Sequence, residues 1–141
     1  MKIHRLSLKN FRGFYGDHTI EFSVDPEKNI TLIHAENGVG KTTLLNSILW
    51  CFYGVRPSGF LGEMENTHSI EEEEKIYFVS VLFEENNKKY QAKRVGGMFD
   101  NEPKLQISEI IDGDYRTHPA PDQLINSIIP QEIAPYFFFR G

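Results

Sequence analysis

An α/β fold is predicted by three features of the 141-residue sequence: a central strand, a glycine-rich loop leading into a helix, and an antiparallel β-meander beyond. A β-branched run at 30–34 ends where Ala35-Glu36-Asn37-Gly38-Val39-Gly40-Lys41-Thr42-Thr43 begins. Leu44, Leu45, Ile48, Leu49 and Phe52 then recur at the spacing of one apolar helix face. Three strand-like segments, 76–83, 89–95 and 104–111, follow with turn residues between them.

Taken from the N-terminus, residues 2–8 give a short imperfect alternation through Ile3, Leu6 and Leu8, and residues 11–16 are punctuated by Gly13 and Gly16. A strand and then a turn are expected. Residues 17–24 alternate again through Ile20, Phe22 and Val24, closing at Asp25-Pro26, so the two segments form an expected antiparallel pair. Gly54 is placed to stop the helix after the loop. Residues 55–75 hold four successive glutamates, Glu71 to Glu74, and read as an acidic connecting loop. The region 76–117 reads as an antiparallel β subdomain, with Asn86-Asn87, Gly96-Gly97 and Asp112-Gly113 as its turns. A short helix is expected from Pro121 to Ile129, ended by Pro130, and the aromatic run 136–139 is expected as a buried strand.

Composition sets outer limits. A chain of this length, 40% hydrophobic and 25% charged, can bury a core of its own. Its net charge of -5 gives no general attraction to nucleic acid or an acidic membrane, so such contacts would need a local basic patch. The single cysteine, Cys51, sits in an apolar run and reads as a reduced, buried thiol. No apolar run approaches the roughly 18 residues of a membrane span, and no leader precedes the first strand, so a cytoplasmic protein without a membrane partner is expected.

The loop carries the chemistry. Backbone N–H groups must converge on phosphate oxygens at a helix start, which requires glycine where a Cβ would obstruct; Gly38 and Gly40 meet that need. Asn37 and Val39 complete the turn, Lys41 is expected on the β- and γ-phosphates, Thr42 on Mg2+, and Thr43 nearer the α-phosphate. Ala35 replaces the usual first glycine with another small residue. A chance glycine turn capping a helix is the competing reading, but it does not require the strand before and the one-faced helix after. Binding of a nucleoside triphosphate, ATP with Mg2+, is expected.

Met1-Lys2-Ile3, Leu6, Leu8 and 9–14 (Lys-Asn-Phe-Arg-Gly-Phe), followed by 37–44, resemble the SMC/RecF/RecN group, ABC-type ATPases of DNA repair and chromosome maintenance. The stretch 129–139 further resembles DndD-like ATPases of DNA phosphorothioation systems, where a similar aromatic strand precedes the Q-loop. The resemblance implies an ABC/SMC-type head lobe: an N-terminal lobe that works with a C-terminal lobe of the same head, a second head in a nucleotide-dependent dimer, and DNA. It implies that Arg12 lies beside the phosphates or faces DNA, and that Asn10 shapes the same edge. No apolar strand ending in Asp-Glu and no LSGG-like signature is present in this stretch, so no catalytic residue is assigned and this length alone is expected to be inactive as an ATPase. A non-hydrolysing nucleotide sensor or interaction module of a DNA defence complex is the alternative. Arg140 stands where the family has glutamine or aspartate; arginine cannot accept a bond from metal-bound water, so Mg2+ coordination is not carried over to it.

Other features read as structural. His4, His18, His34, His68 and His118 lack ligand spacing, and His34 is expected to pack against the helix. Lys88, Lys89, Lys93 and Arg94 form a basic cluster that could meet a DNA backbone or simply keep a hairpin edge soluble.

Overall fold

The computed structural model describes residues 1–36, 38–55, 64–71, 76–97 and 102–138. Six strands form one antiparallel sheet, ordered β2-β1-β3-β4-β5-β6: β1 (Lys2–Phe11), β2 (Phe14–Glu21), β3 (Tyr77–Glu85), β4 (Lys88–Gly96), β5 (Leu105–Ile111) and β6 (Asp114–Thr117). Helix α1 (Lys41–Tyr53) lies across β1, β3, β4 and β5, and α3 (Pro121–Ile128) packs beside it over β5. The short α2 (Thr67–Glu71) touches β2, and α4 (Ala134–Phe137) is a single turn near the end of the described chain.

Alternation explains the sheet. Leu6 and Leu8 of β1, Val79, Val81 and Phe83 of β3, Ala92 of β4 and Ile107 of β5 point to the helices and are almost wholly buried. Cross-strand pairs such as Leu6 with Val81 and Ala92 with Ile107 set the register, since a one-residue slip would expose every one of them. Asn86 and Asn87, at φ 51° and 61°, make the two-residue turn between β3 and β4, and Asp112-Gly113, at φ 53° and 88°, does the same between β5 and β6. The antiparallel region expected at 76–117 thus continues in one sheet with the N-terminal hairpin and gains β6, an added edge strand.

Helix α1 ends as its sequence requires: Gly54 at φ 69° donates its N–H to Trp50 O at 2.8 Å. Its buried side differs from the expected one. Ser47, Ile48, Trp50, Cys51 and Phe52 face the sheet, while Leu44, Leu45 and Leu49 are half-buried on the flank. The helix is apolar on most of its circumference, so spacing alone leaves its orientation open.

Two expected strands are absent. Residues 30–34 belong to no helix or strand and pair with none of the described strands, and Ile30 and Leu32 are 85% and 88% exposed. The described part of the aromatic run, 136–138, is not a strand either: Tyr136 and Phe137 belong to α4 and are exposed, because Pro130 through Ala134 turn the chain into a helical bend. Phe139 and Arg140 lie outside the described residues, as do residues 56–63 and 72–75 of the acidic connection; inside that connection, Thr67–Glu71 is helical. Among the described residues no helix is long and apolar enough to cross a membrane.

Candidate phosphate-binding site

The loop between residue 34 and α1 is bent by two glycines in conformations that L side chains rarely adopt, Gly38 at φ 87° and Gly40 at φ 109°. Gly40 is the N-cap of α1, where no side chain caps the first turn and no acidic residue sits in it. The N–H groups and the positive end of the helix dipole therefore face the loop without a carboxylate to neutralise them. Lys41 curls back over the bend, its Nζ donating to Ala35 O at 2.5 Å and Glu36 O at 2.7 Å. Lys41 and Thr42 are exposed, Thr43 is half-buried in the first turn, and Val39 stands 56% exposed at the tip. Asn37 lies outside the described residues.

These residues fit a triphosphate. The cradle offers N–H donors, a helix start and one ammonium group, and glycine keeps its walls open. Among the described residues no group of three or more His, Cys, Asp or Glu could hold a metal ion. A magnesium ion here would thus take Thr42 Oγ1 from the protein and most of its remaining ligands from phosphate and water, as this cation commonly does.

A contact that sequence reading did not anticipate backs the loop. A Cβ on Gly40 would lie 3.1 and 3.2 Å from the ring of Phe14, the first residue of β2, so the hairpin tip supports the cradle from behind. Phe14 belongs to the 9–14 stretch that carries the family resemblance, but its contact with Gly40 is not visible locally, because that partner is distant along the chain. Two residues before it, Arg12 turns the chain at φ 53° and is half-buried. Asn10, at φ 48°, is fully buried: its Oδ1 accepts from Gly16 N at 2.8 Å and its Nδ2 donates to Ile76 O at 3.3 Å. These bonds tie the β1–β2 tip to the start of β3. The short segment Met64 to Asn66 runs alongside, joined to Phe11 by a β-bridge at Glu65. Asn66 was open to detection as a helix N-cap, since it directly precedes α2.

The remaining candidates separate. His34 is exposed and is not buried against α1, contrary to expectation, although Ile33 beside it lines a groove with Leu44, Leu45 and Ile48 of that helix. The basic cluster is divided by strand alternation: Lys93 lies over the Phe78 ring at 4.5 Å, Lys88 pairs with Glu109 at 3.1 Å, and Arg94 is buried on the helix side. Arg94 donates to Cys51 O at 3.0 Å, to Phe52 O at 3.4 Å and to Pro103 O, at the C-terminal end of α1. Burial lowers its pKa. Cys51 is fully buried, and loss of hydration pushes its thiol up to about 12.

The model of an AAA domain family, AAA_23, matches residues 5–138. Over 139 residues the chain is 31% identical to a DNA double-strand break repair Rad50 ATPase of Archaeoglobus fulgidus, covering 99% of this chain and 13% of that protein. It is 43% identical over 54 residues to a DNA replication and repair protein RecF of Acetivibrio thermocellus, covering 38% of this chain and 13% of the relative. A solved SMC head domain from Thermotoga maritima aligns with a TM-score of 0.44 at 20% identity, over 82% of this chain and 38% of that one. The chain therefore spans about an eighth of the Rad50 relative's length.

Proposed function

The chain belongs to the AAA_23 family of AAA domains as an N-terminal lobe of the SMC/RecF-type ATPases, and we propose that it binds ATP with Mg2+ at the Gly38-to-Thr43 loop. The observation that carries this is the geometry of Lys41: its ammonium is bent over a loop whose two left-handed glycines open directly onto the uncapped start of α1. Lys41 neutralises β- and γ-phosphate oxygens, Thr42 Oγ1 ligates the metal, Thr43 reaches toward the α-phosphate, and Arg12 approaches from the hairpin tip. Bound Mg2+ would offset negative charge on the phosphates.

In this reading the chain supplies the phosphate cradle of a split ATPase head, and hydrolysis requires a C-terminal lobe and pairing with a second head. The full assembly acts on DNA in repair, the process that the names of the Rad50 and RecF relatives give, or in restriction and modification-linked defence, a reading that rests on the resemblance of 129–139 alone. Calorimetry with a non-hydrolysable ATP analogue and Mg2+ tests the first step, with Lys41→Ala as control. Equal binding by both chains would overturn it. Turnover in the head completed by a C-terminal lobe, lost with Lys41→Ala, tests the second; binding without turnover in that complete head would favour the nucleotide sensor.

A further inference from the structure

The β1–β2 tip contains two non-glycine residues in the left-handed region, Asn10 at φ 48° and Arg12 at φ 53°. Such backbone persists only where surrounding bonds over-determine it. Here part of that support comes from Met64 to Asn66. The N–H of Arg12 donates to Met64 O at 2.8 Å, the N–H of Asn66 donates to Asn10 O at 2.8 Å, and Asn66 Nδ2 donates to the carbonyl of Arg12 itself. Both unusual residues are thus held by the same short segment.

The side chain of Asn66 is buried, and its two ends do different work. Its Oδ1 accepts from the N–H of His68 at 2.9 Å and of Ser69 at 3.3 Å, capping α2. Its Nδ2 fixes the orientation of the Arg12 peptide, two residues from the Phe14 ring that backs Gly40. We propose that Asn66 is a positioning residue for nucleotide binding: it holds the hairpin tip so that Arg12 is presented to the phosphates. This rests on the reading of Gly38 to Thr43 as a triphosphate cradle with Arg12 at its edge.

The division of labour within one side chain provides the test. Asn66→Asp keeps an oxygen for the α2 cap, where aspartate serves as well as asparagine, but sets an acceptor against the Arg12 carbonyl. Binding of the Mg2+ complex of a non-hydrolysable ATP analogue is measured by calorimetry for the full chain, Asn66→Asp, Arg12→Ala, the double variant and Lys41→Ala. Asn66→Asp is expected to weaken binding by about 5- to 10-fold when Arg12 is present and by less than about 2-fold when it is alanine, the non-additivity of residues acting through one another. Equal losses in both backgrounds, or none, would overturn the positioning role while leaving the cradle intact. Failure of the parent chain to bind, or Lys41→Ala binding as tightly as the parent, would overturn the cradle and this inference with it. Amide exchange without nucleotide gives an independent reading: the Arg12 N–H should exchange at least about 10-fold faster in Asn66→Asp, and the Ile70 N–H, bonded to Asn66 O at 3.2 Å, at an unchanged rate. Acceleration of both together would reduce Asn66 to a fold-stabilising residue. Asn66→Ser, which also caps a helix but is too short to reach Arg12, repeats the series if the aspartate variant melts early.

Discussion

Gly40 has little latitude, for two separate reasons. At φ 109° an L side chain is strained, and a Cβ would press on the Phe14 ring at 3.1 Å. Gly40→Ala is therefore expected to destabilise the chain by about 1–2 kcal/mol and to weaken ATP-analogue binding by about 10-fold or more, read by urea denaturation and calorimetry. Adding Phe14→Leu should recover part of the stability, since it relieves the steric term and not the backbone one; full recovery would show that φ is immaterial. Cys51 is constrained differently. Its thiol titrates at 9.0 when unfolded and is pushed to about 12 by burial, and Tyr53 moves from 10.0 to about 12 through burial and the nearby Glu132. Well below pH 9, at about pH 8 and lower, both states keep these protons and stability is unaffected. Above it the unfolded chain ionises first, so stability falls as pH rises toward 12. The urea midpoint should decline between pH 8.5 and 10.5, and less steeply in Cys51→Ala; an identical slope in that variant would remove Cys51 from the explanation. The glycines, lysine and threonines of the loop were legible because their chemistry is contiguous in the sequence. The packing of Phe14 on Gly40 and the bond of Asn66 to Arg12 were not, because each depends on a partner that folding brings from elsewhere in the chain, whereas the capping role of Asn66 is local.

At the scale of elements, α1 depends on what meets its two ends. Its N-terminal N–H groups face the loop, whereas its last carbonyls meet Gly54 N–H and the guanidinium of Arg94, which also lies 5.9 Å from the Trp50 ring. Arg94→Leu would leave Cys51 O and Phe52 O without this donor in a buried setting, and a loss of about 2–4 kcal/mol is expected by chemical denaturation. Arg94→Lys should recover less than half, because a single ammonium cannot replace a fork that reaches several carbonyls. A loss below about 0.5 kcal/mol for the leucine variant would mean that water or Gly54 suffices. In the sequence Arg94 looked like one of four clustered cations; only the strand's period of two separates it from Lys93. The turns of β3–β4 and β5–β6 were legible from Asn86-Asn87 and Asp112-Gly113, since left-handed backbone selects those residues locally. Strand propensity at 30–34 and 136–139 misled for the opposite reason. A β-branched or aromatic run fits a strand only where a neighbouring strand is available, and among the described residues neither 30–34 nor 136–138 pairs with one.

For the molecule as a whole, residues 30–34 present an exposed β-branched run outside the sheet. Ile30 and Leu32 are almost fully exposed and Ile33 is 40% exposed, beside a 200 Å³ mostly apolar groove walled by Leu6, Phe22, Ile33, Leu44, Leu45 and Ile48, with Lys41 also lining it. Unpaired backbone and exposed β-branched side chains together are the features that β-pairing removes. If the chain is one lobe of a split head, its C-terminal lobe should supply strands to this segment and carry the loop into a sheet. Amide exchange at Thr31, Leu32 and Ile33 should then slow by about 100-fold or more on adding that lobe, with α3 largely unchanged. Ile30→Glu with Leu32→Glu should abolish the protection and the association, yet shift the stability of the isolated chain by no more than about 0.5 kcal/mol, because both side chains already face solvent. Protection that appears elsewhere but not at 31–33, or association that survives both glutamates, would place the lobe contact on another face.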